Sequence, residues 1–201
     1  MIKIGLTGNY FSGMDDVIKI YNKLNIPVYD ADLVTKFILN YSELSIRKIR
    51  KTFGDVYDCG LLNLNKFDTN NRFELLLNLI NSDLLESYYR FLDKNKEEKY
   101  VIFKSSILFE NKYNKLMDYN INIFKPCSER YDLVDKITSI DSTTLEFIIS
   151  NELSEDYKCN NSDFIINNYS EYTSKEIYSL ENQVLKIDQS LLFNFDKEVF
   201  A

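Results

Sequence analysis

The sequence predicts an α/β protein built around a parallel sheet that helices cover on both faces. Short apolar and β-branched runs alternate with stretches of helical periodicity along the chain, which is the pattern of parallel strands joined by helical crossovers. No strict alternation of apolar and polar residues marks an antiparallel hairpin. With 201 residues, of which 45% are hydrophobic, the chain is long enough for one sizeable core and too short for two ordinary domains with a linker.

The amino-terminal part predicts a strand, a loop, a helix and a second strand. Residues 2–7 form a short apolar run, and residues 15–24 carry apolar side chains at helical spacing. Residues 26–29 predict the second strand, after which residues 33–39 have a helical pattern. This order predicts a parallel βαβ unit at the start of the chain.

The middle of the chain predicts a helical insertion, and the remainder predicts three more strands. Residues 42 to about 96 are largely helical in pattern, with turn-prone positions at Gly54 and Gly60. Short β-branched and aromatic runs then lie at residues 100–103, 121–124 and 163–167. Five strands are therefore expected in the sheet.

The charge balance argues against nucleic acid as a partner. The formal net charge is −7 and the pI is near 4.8, whereas binding to a phosphate backbone needs a broad basic surface. No stretch approaches the roughly 18 consecutive apolar residues of a membrane span, and the amino terminus has no signal-peptide pattern. We therefore expect a cytoplasmic protein with neither a nucleic-acid nor a membrane partner.

The absence of histidine restricts the chemistry that the chain can perform. It excludes Ser-His-Asp triads, Cys-His pairs and histidine metal sites, so any proton transfer falls to carboxylates, Lys, Tyr or Cys. The three cysteines, Cys59, Cys127 and Cys159, are widely spaced and form no CxxC pair. This spacing predicts reduced thiols rather than a disulfide framework or a thiolate zinc site, and no metal-ligating residue is assigned.

A loop with the features of a phosphate-binding loop follows the first strand. The segment GNYFSGMD at residues 8–15 has the two-glycine spacing of the pattern GxxxxGK[ST], but Met and Asp replace its last two residues. Where a strand feeds such a loop into a helix, free backbone N–H groups and the helix dipole favour an anion. The candidate phosphate-binding residues are Gly8, Ser12, Gly13, Met14 and Asp15.

Several segments, taken in order, resemble the dephospho-CoA kinase family over nearly the full length of the chain. IGLTG at residues 4–8 matches the start of the family's IGLTGGIGSGKS, and IPVYDAD at residues 26–32 resembles its IPVxDAD. Further similarity lies in FG at 53–54, DCGLL at 58–62, ILFE at 107–110, NELS at 151–154 with Lys158, and SDFIINN at 162–168. These segments are similar to the family's FG, DGxLD, PLLFE, QMSxEEK and ADFVIxN elements.

The resemblance implies a three-layer α/β/α P-loop NTPase kinase fold with a five-stranded parallel sheet, a helical insertion for a CoA-type substrate and a helical lid over ATP. It implies one domain, with its core at about residues 1–40, 97–130 and 160–190, the insertion at about 41–96, a lid-like region at about 130–160 and a tail at 190–201. The implied reaction transfers the γ-phosphoryl group of ATP to the 3′-hydroxyl of dephospho-CoA, with ATP and Mg²⁺ in the site.

Asp30 and Asp32 are the candidate catalytic residues. The resemblance makes Asp32 the candidate base, and a carboxylate at either position could accept the proton of the substrate hydroxyl or help to hold Mg²⁺. The alternative is that both residues end a strand and cap the next helix, which is a common role for Asp.

The phosphate loop departs from the family pattern in both charge and size. Met14 supplies no charge, and Asp15 places an anion beside the phosphates. Unit like charges ~4 Å apart repel by about 4 kcal/mol at an effective dielectric constant of about 20. The family's small GIG run is replaced by Asn9, Tyr10 and Phe11, whose side chains would hinder a backbone that wraps phosphate closely.

Other family positions are also replaced. The family's His-Pro pair aligns with Ser82-Asp83, and its lid arginines align with Leu133, Ile137 and Phe147, with Arg130 nearby. Three lysines are alternative phosphate ligands, although each also fits a solvated or snorkelling side chain; they are Lys3, Lys19 and Lys104.

Two functions are consistent with these features. The first is a catalytically impaired or inactive pseudokinase that is retained for a binding or structural role in an assembly, because the fold pattern is intact around a site without its usual phosphate ligands. The second is an active dephospho-CoA kinase with unconventional phosphate ligands, because Asp30 and Asp32 are present.

An apolar tail follows the last predicted helix, which spans residues 175–187. The tail runs from Leu191 to Phe200 and either packs on the chain's own core or docks into a neighbouring subunit or another protein partner.

Overall fold

The computed structural model describes residues 1–67, 70–134, 149–150 and 152–199, without the side chains of residues 70, 131–134 and 194–199. Two compact units are present. The first contains Met1–Tyr29 with residues 95–134 and 152–199, and the second contains residues 30–94 with 149–150.

A five-stranded parallel sheet forms the centre of the α/β fold, and a two-stranded hairpin forms a second, separate sheet. The strands are, in chain order, β1 (Ile2–Gly8), β2 (Val28–Asp30), β3 (Tyr57–Asp58), β4 (Leu61–Leu62), β5 (Tyr100–Lys104), β6 (Tyr119–Phe124) and β7 (Phe164–Asn167). The order in the large sheet is β2-β5-β1-β6-β7, so β1 lies in the middle. It pairs in parallel with both β5 and β6. The five predicted strands are confirmed, with ends that differ by one or two residues.

The strands of the large sheet are apolar because both faces are covered. Every residue of β5 is buried, and so are all residues of β1 except Lys3, which is typical of a central parallel strand. Each aliphatic side chain that is removed from water in this way contributes about 1.5–3 kcal/mol. The core of the first unit consists of Ile2, Ile4, Leu6, Val17, Tyr21, Tyr100, Ile102, Ile121, Ile123, Ile166, Val184, Ile187 and Leu191.

Helices follow most of the strands. The described helices are α1 (Met14–Lys23), α2 (Ala31–Tyr41), α3 (Glu43–Phe53), α4 (Asn70–Lys94), α5 (Cys127–Val134), α6 (Glu155–Asn160), α7 (Ser170–Thr173) and α8 (Leu180–Val199). In the first unit, α1 packs against β1 and α8. Across the described residues, no helix combines the length and apolarity that crossing a membrane requires.

The last helix starts later and continues further than its sequence pattern indicates. A 3₁₀ turn at Glu176–Tyr178 precedes it, and α8 then includes most of the predicted tail. Leu191 is fully buried in the core, whereas Phe193 is 61% exposed. The tail therefore packs on its own core at Leu191, and its docking to a partner stays a prediction.

The second unit contains helices α2, α3 and α4, and it also contains a hairpin that the sequence pattern did not indicate. Strands β3 and β4 pair antiparallel across Cys59 and Gly60, whose φ angles of 49° and 84° are both positive. This geometry is typical of a two-residue hairpin turn. The turn was predicted at this position, but strands of two residues are too short to show an alternating pattern.

Two buried tyrosines in the core of the first unit differ in how their hydroxyl groups are satisfied. The Tyr100 hydroxyl donates a hydrogen bond to Asp188 Oδ1 at 2.5 Å. The Tyr21 hydroxyl is buried and has no hydrogen-bond partner among the described residues. Burial raises the pKa of both phenols above its usual value of 10.0, and the negative charge of Asp188 raises it further.

Replacement of each tyrosine by phenylalanine should therefore have opposite effects at pH 7. Tyr21→Phe removes an unsatisfied hydroxyl and should raise the free energy of unfolding by about 1 kcal/mol, whereas Tyr100→Phe loses a hydrogen bond and should lower it by about 1 kcal/mol. Above about pH 10 the unfolded chain releases phenolic protons that the folded chain keeps, so stability should fall with rising pH, and less steeply in each variant. Urea unfolding at both pH values measures these changes, and equal destabilisation by the two substitutions would contradict the assignment.

Candidate functional site

The loop between β1 and α1 keeps a defined backbone shape. Phe11 and Gly13 have positive φ angles of 63° and 93°, and the Ser12 amide donates to the Asn9 carbonyl at 2.9 Å. The side-chain amide of Asn168, which follows β7, donates to the Ser12 carbonyl at 2.7 Å. A Cβ atom at Gly13 would lie 2.2 Å from Asn168 Nδ2, so this position requires glycine. A hydrogen bond thus connects the loop to the segment that follows the edge strand β7.

The loop presents donor groups that are suited to an anion. Among the described residues, the backbone N–H groups of Phe11, Gly13 and Met14 have no hydrogen-bond acceptor. Ser12 is 1% exposed, and its Oγ also has no partner within the described part of the chain. Successive unsatisfied amides at the start of a helix form a cradle for phosphate. A phosphate group therefore fits this loop.

Asp15, the second residue of α1, forms an ion pair with Lys104 at the carboxyl end of β5. Lys104 Nζ lies 3.0 Å from Asp15 Oδ1, and the lysine side chain is 10% exposed while the aspartate is 81% exposed. The parallel register places Lys104 opposite Leu6, two residues before the loop. Lys104 is therefore not a solvated side chain, because its stem is buried and its ammonium is paired with the exposed carboxylate of Asp15.

The other two candidate lysines do not approach the loop. Lys3 lies near the start of β1, with its ammonium 3.6 Å from Asp118. Lys19 is exposed and pairs with Asp16 on its own helix at 2.8 Å, which raises its pKa through a hydrogen bond to that carboxylate.

A bound Mg²⁺ does not fit at Asp15. Asp15 takes the position of the hydroxyl that ligates Mg²⁺ in the pattern GxxxxGK[ST], but the Lys104 ammonium already lies within hydrogen-bond distance of its carboxylate. A divalent cation at the same carboxylate would meet this positive charge. The described residues also contain no cluster of three or more His, Cys, Asp or Glu side chains that could hold a metal ion.

Arg130 of α5 lies against the loop and is shared by two carboxylates. This residue is 7% exposed, and its Nη1 donates to the Tyr10 carbonyl at 2.9 Å. Nη1 is also 3.2 Å from Glu152 Oε2, and Nε is 2.9 Å from Glu155 Oε1. The other oxygen of Glu152 accepts a short hydrogen bond from the Tyr10 amide. A carboxylate of the chain thus occupies a backbone donor of the phosphate loop.

A second ion pair, whose lysine is fully buried, anchors the segment that carries Glu152. Lys158 is 0% exposed; its Nζ lies 2.9 Å from Glu110 Oε1 and donates to the Ser106 carbonyl at 3.0 Å. The same Glu110 oxygen accepts from the Leu153 amide at 3.0 Å, and Asn9 Nδ2 donates to the Leu153 carbonyl at 3.3 Å. Residues 152 and 153 are therefore held beside the loop.

The candidate catalytic aspartates belong to the second unit. Asp30 caps helix α2, because its Oδ1 accepts from the Leu33 amide at 2.9 Å, as the alternative interpretation expected. Asp32 lies in the first turn of the same helix. A catalytic role for either residue stays a prediction.

Of the residues that stand where family residues were expected, the structure describes the contacts of Asp83 but not the lid positions. In the second unit, Asp83 accepts from Ser45 Oγ at 2.9 Å and pairs with Lys48 at 3.1 Å, so it joins two helices. Ile137 and Phe147 lie outside the described residues, as does the side chain of Leu133.

Lys104, Arg130, Glu152 and Asn168 meet at the loop, and of these four the sequence named only Lys104 as a phosphate ligand, as an alternative to a solvated or snorkelling side chain. Asn168 lies in a matched segment and Arg130 was noted as a neighbour of the expected lid arginines. Their separation from the loop along the chain, 120 residues for Arg130 and 142 for Glu152, explains why spacing alone did not reveal the contacts.

Comparison with known proteins gives a consistent family. The family model described as "Dephospho-CoA kinase" matches residues 2–174. A dephospho-CoA kinase of Rickettsia typhi is 26% identical over 204 residues, which covers 95% of this chain and 98% of the relative. The dephospho-CoA kinase of Fusobacterium nucleatum is 28% identical over 174 residues, covering 83% of this chain and 89% of the relative.

Solved structures show the same fold. The structure of TT1252 from Thermus thermophilus superposes with a TM-score of 0.76 at 19% identity, covering 96% of this chain and 97% of that chain. A dephospho-CoA kinase from Campylobacter jejuni gives a TM-score of 0.62 at 18% identity, covering 94% and 96% of the two chains.

Proposed function

The chain belongs to the dephospho-CoA kinase family, and from that premise we propose that it binds nucleotide phosphates at the loop after β1 but transfers phosphoryl groups poorly. ATP and a dephospho-CoA-type acceptor are the ligand classes. The phosphates would be held by the amides of Phe11, Gly13 and Met14 with Ser12 Oγ. The helical insertion at about residues 41–96 would receive the acceptor, and the region at about 130–160 would act as the lid, within one domain.

The observation that carries this proposal is the contact of Glu152 with the loop. Its carboxylate accepts from the Tyr10 amide while it also pairs with Arg130, so one loop donor and the nearby guanidinium are both engaged by a negative group. Phosphoryl transfer depends on loop donors and cations that neutralise the charge developing on the transferred group. A carboxylate in this place competes with the phosphate for both.

The charge balance around the loop supports the same conclusion. Three carboxylates face two cations there, since Asp15, Glu152 and Glu155 surround Lys104 and Arg130. Met14 adds no positive charge where the pattern GxxxxGK[ST] has lysine. A repulsion of about 4 kcal/mol between unit charges ~4 Å apart is enough to reduce a rate by several hundredfold.

The first test is direct turnover. Coenzyme A formation from ATP, Mg²⁺ and dephospho-CoA should be at least ~10³-fold slower than that of the Rickettsia typhi relative under the same conditions, because loss of a single preorganised donor already costs about 10²–10³ in rate. Chromatographic detection of coenzyme A measures it. A wild-type rate equal to that of the relative would refute impairment.

In the variant with both Met14→Lys and Asp15→Ser, ATP should bind at least tenfold more tightly than it binds to the wild-type chain.

A pair of matched substitutions tests the role of Glu152. Glu152→Gln removes the carboxylate from the Tyr10 amide and should raise the affinity for ATP about tenfold, because the competing charge is lost. Glu155→Gln removes the other carboxylate from Arg130 without touching the loop, and should change the affinity by less than about threefold. Calorimetric titration distinguishes the two, and equal effects would exclude a specific role for Glu152.

An active dephospho-CoA kinase is the second candidate, and the position of Arg130 favours it. The guanidinium lies 2.9 Å from the Tyr10 carbonyl, so movement of Glu152 would leave a cation directly on the phosphate loop. Asp32 would then be the base that accepts the proton of the acceptor hydroxyl, with Asp30 two residues before it as the other candidate.

This candidate predicts that Asp32→Asn abolishes coenzyme A formation while the thermal unfolding temperature stays within a few degrees of the wild type. The substitution removes the proton acceptor at a half-buried first-turn position and keeps the size of the side chain, so the fold should tolerate it. A rate that is unchanged in Asp32→Asn would rule out the assigned role.

A further inference from the structure

The ion pair between Asp15 and Lys104 reverses the usual arrangement at the start of a phosphate-loop helix. In the pattern GxxxxGK[ST], the last residue is a hydroxyl that ligates Mg²⁺, and the metal supplies the positive charge. Here the last residue is a carboxylate, and the cation next to it is an ammonium on the neighbouring strand, with Nζ 3.0 Å from Asp15 Oδ1.

We propose that the Lys104 ammonium takes the place of the divalent cation at the phosphate loop, so that nucleotide phosphates bind there without Mg²⁺. The inference rests on the proposed binding of phosphates at this loop, and it adds the identity of the cation and the loss of metal dependence.

The location of Lys104 supports this role. It is the last residue of β5, next to the central strand β1, and ligands of parallel α/β sheets bind outside the carboxyl ends of the strands. The lysine stem is buried, and the ammonium is held by Asp15 at the first turn of α1. A cation fixed in this way loses little side-chain freedom when a phosphate binds.

The loop itself provides an independent indication of an anionic ligand. The N–H groups of Phe11, Gly13 and Met14 have no acceptor among the described residues, and Ser12 Oγ is buried without a partner in the same set. These donors belong to residues 11–14, and Asp15, which pairs with Lys104 of β5, is the next residue along the chain. The pair is thus placed where it would meet the phosphate that the cradle accepts.

A lysine ammonium in place of Mg²⁺ is consistent with a carboxylate in place of the hydroxyl at position 15. An unpaired Asp15 would repel phosphate, but Lys104 at 3.0 Å offsets the charge of that carboxylate. Because the ammonium shares its charge with Asp15, it supplies less positive charge than Mg²⁺ would, which suits binding better than stabilisation of a transferring phosphoryl group. This difference explains how binding without metal and impaired transfer can occur at one site.

A purely structural ion pair is the competing explanation. In that case Lys104 would fix the position of α1 on the sheet, and its removal would lower stability without a specific effect on phosphate affinity. Metal dependence separates the two explanations, because a structural pair has no reason to make nucleotide binding independent of Mg²⁺.

The experiment is calorimetric titration of the full chain with ATP, and separately with inorganic tripolyphosphate, in EDTA and in excess Mg²⁺. Wild-type affinity for each should differ by less than about threefold between the two conditions. Lys104→Met should lower the affinity at least tenfold in EDTA, and Mg²⁺ should restore part of it, because the freed Asp15 carboxylate can then ligate the metal. Lys3→Met is the matched control, since it removes a lysine from the opposite end of the adjacent strand β1, and it should change nothing.

Asp15→Asn keeps the proposal testable if Lys104→Met does not fold. The Asp15 side chain is 81% exposed, so the fold should tolerate the amide, and removal of the carboxylate should raise the affinity for ATP in EDTA three- to tenfold. Wild-type binding that requires Mg²⁺, no binding of either ligand, or weaker binding by Asp15→Asn in EDTA would overturn the proposal.

The outcome is distinguishable from that of the proposed function. The titration in EDTA measures binding and not phosphoryl transfer. If the chain binds ATP without metal and also forms coenzyme A at a normal rate with Mg²⁺, the assignment of Lys104 is retained and the proposed impairment is refuted. Metal-dependent binding without turnover would do the reverse.

Discussion

Strand β1 is hydrogen-bonded along both of its edges, and the position of the loop depends on this double pairing. The register with β5 on one side and β6 on the other leaves the end of β1 little freedom to shift, because a slip would break hydrogen bonds on both edges at once. The loop after Gly8 therefore emerges between fixed neighbours. Lys104 reaches it from β5, and Asn168 reaches it from the chain that follows β7.

The buried cations described near the loop each form an ion pair with at least one carboxylate. Lys158 is fully buried, and the loss of hydration costs a buried ammonium several kcal/mol. The Glu110 carboxylate compensates for part of this cost. Arg130 is nearly as buried and has two carboxylates. Asp15 differs because it is exposed, and its partner is the buried member of the pair. In the sequence alone Asp15 is an isolated anion, whereas in the fold Lys104 largely balances its charge.

The sequence was sufficient for the fold and for the location of the loop, and it was not sufficient for the side chains that surround the loop. Five apolar runs at the expected spacing predict the sheet, because strands buried on both faces must be continuously apolar. The β3–β4 hairpin was missed because two-residue strands carry no periodicity. Glu152 was missed, and the partner of Lys104 was not predicted, for a different reason: the contacts of these residues with Tyr10 and Asp15 join distant parts of the chain, and no local pattern encodes such pairings.

The backbone of the loop and the charges near it are under separate physical constraints, so the loop can keep its shape although the side chains at positions 14 and 15 differ from the pattern GxxxxGK[ST]. Gly13 must have no Cβ, because Asn168 occupies that space and holds the Ser12 carbonyl. Neither the missing Cβ at Gly13 nor the hydrogen bond to the Ser12 carbonyl involves the side chains at positions 14 and 15, which follow the loop as the first two residues of α1. The loop therefore keeps its backbone without the lysine and hydroxyl of that pattern, and in our proposal the positive charge comes from an element whose end lies beside the loop. The parallel sheet offers such an element in β5, because its carboxyl end lies next to β1 at the same edge as the loop.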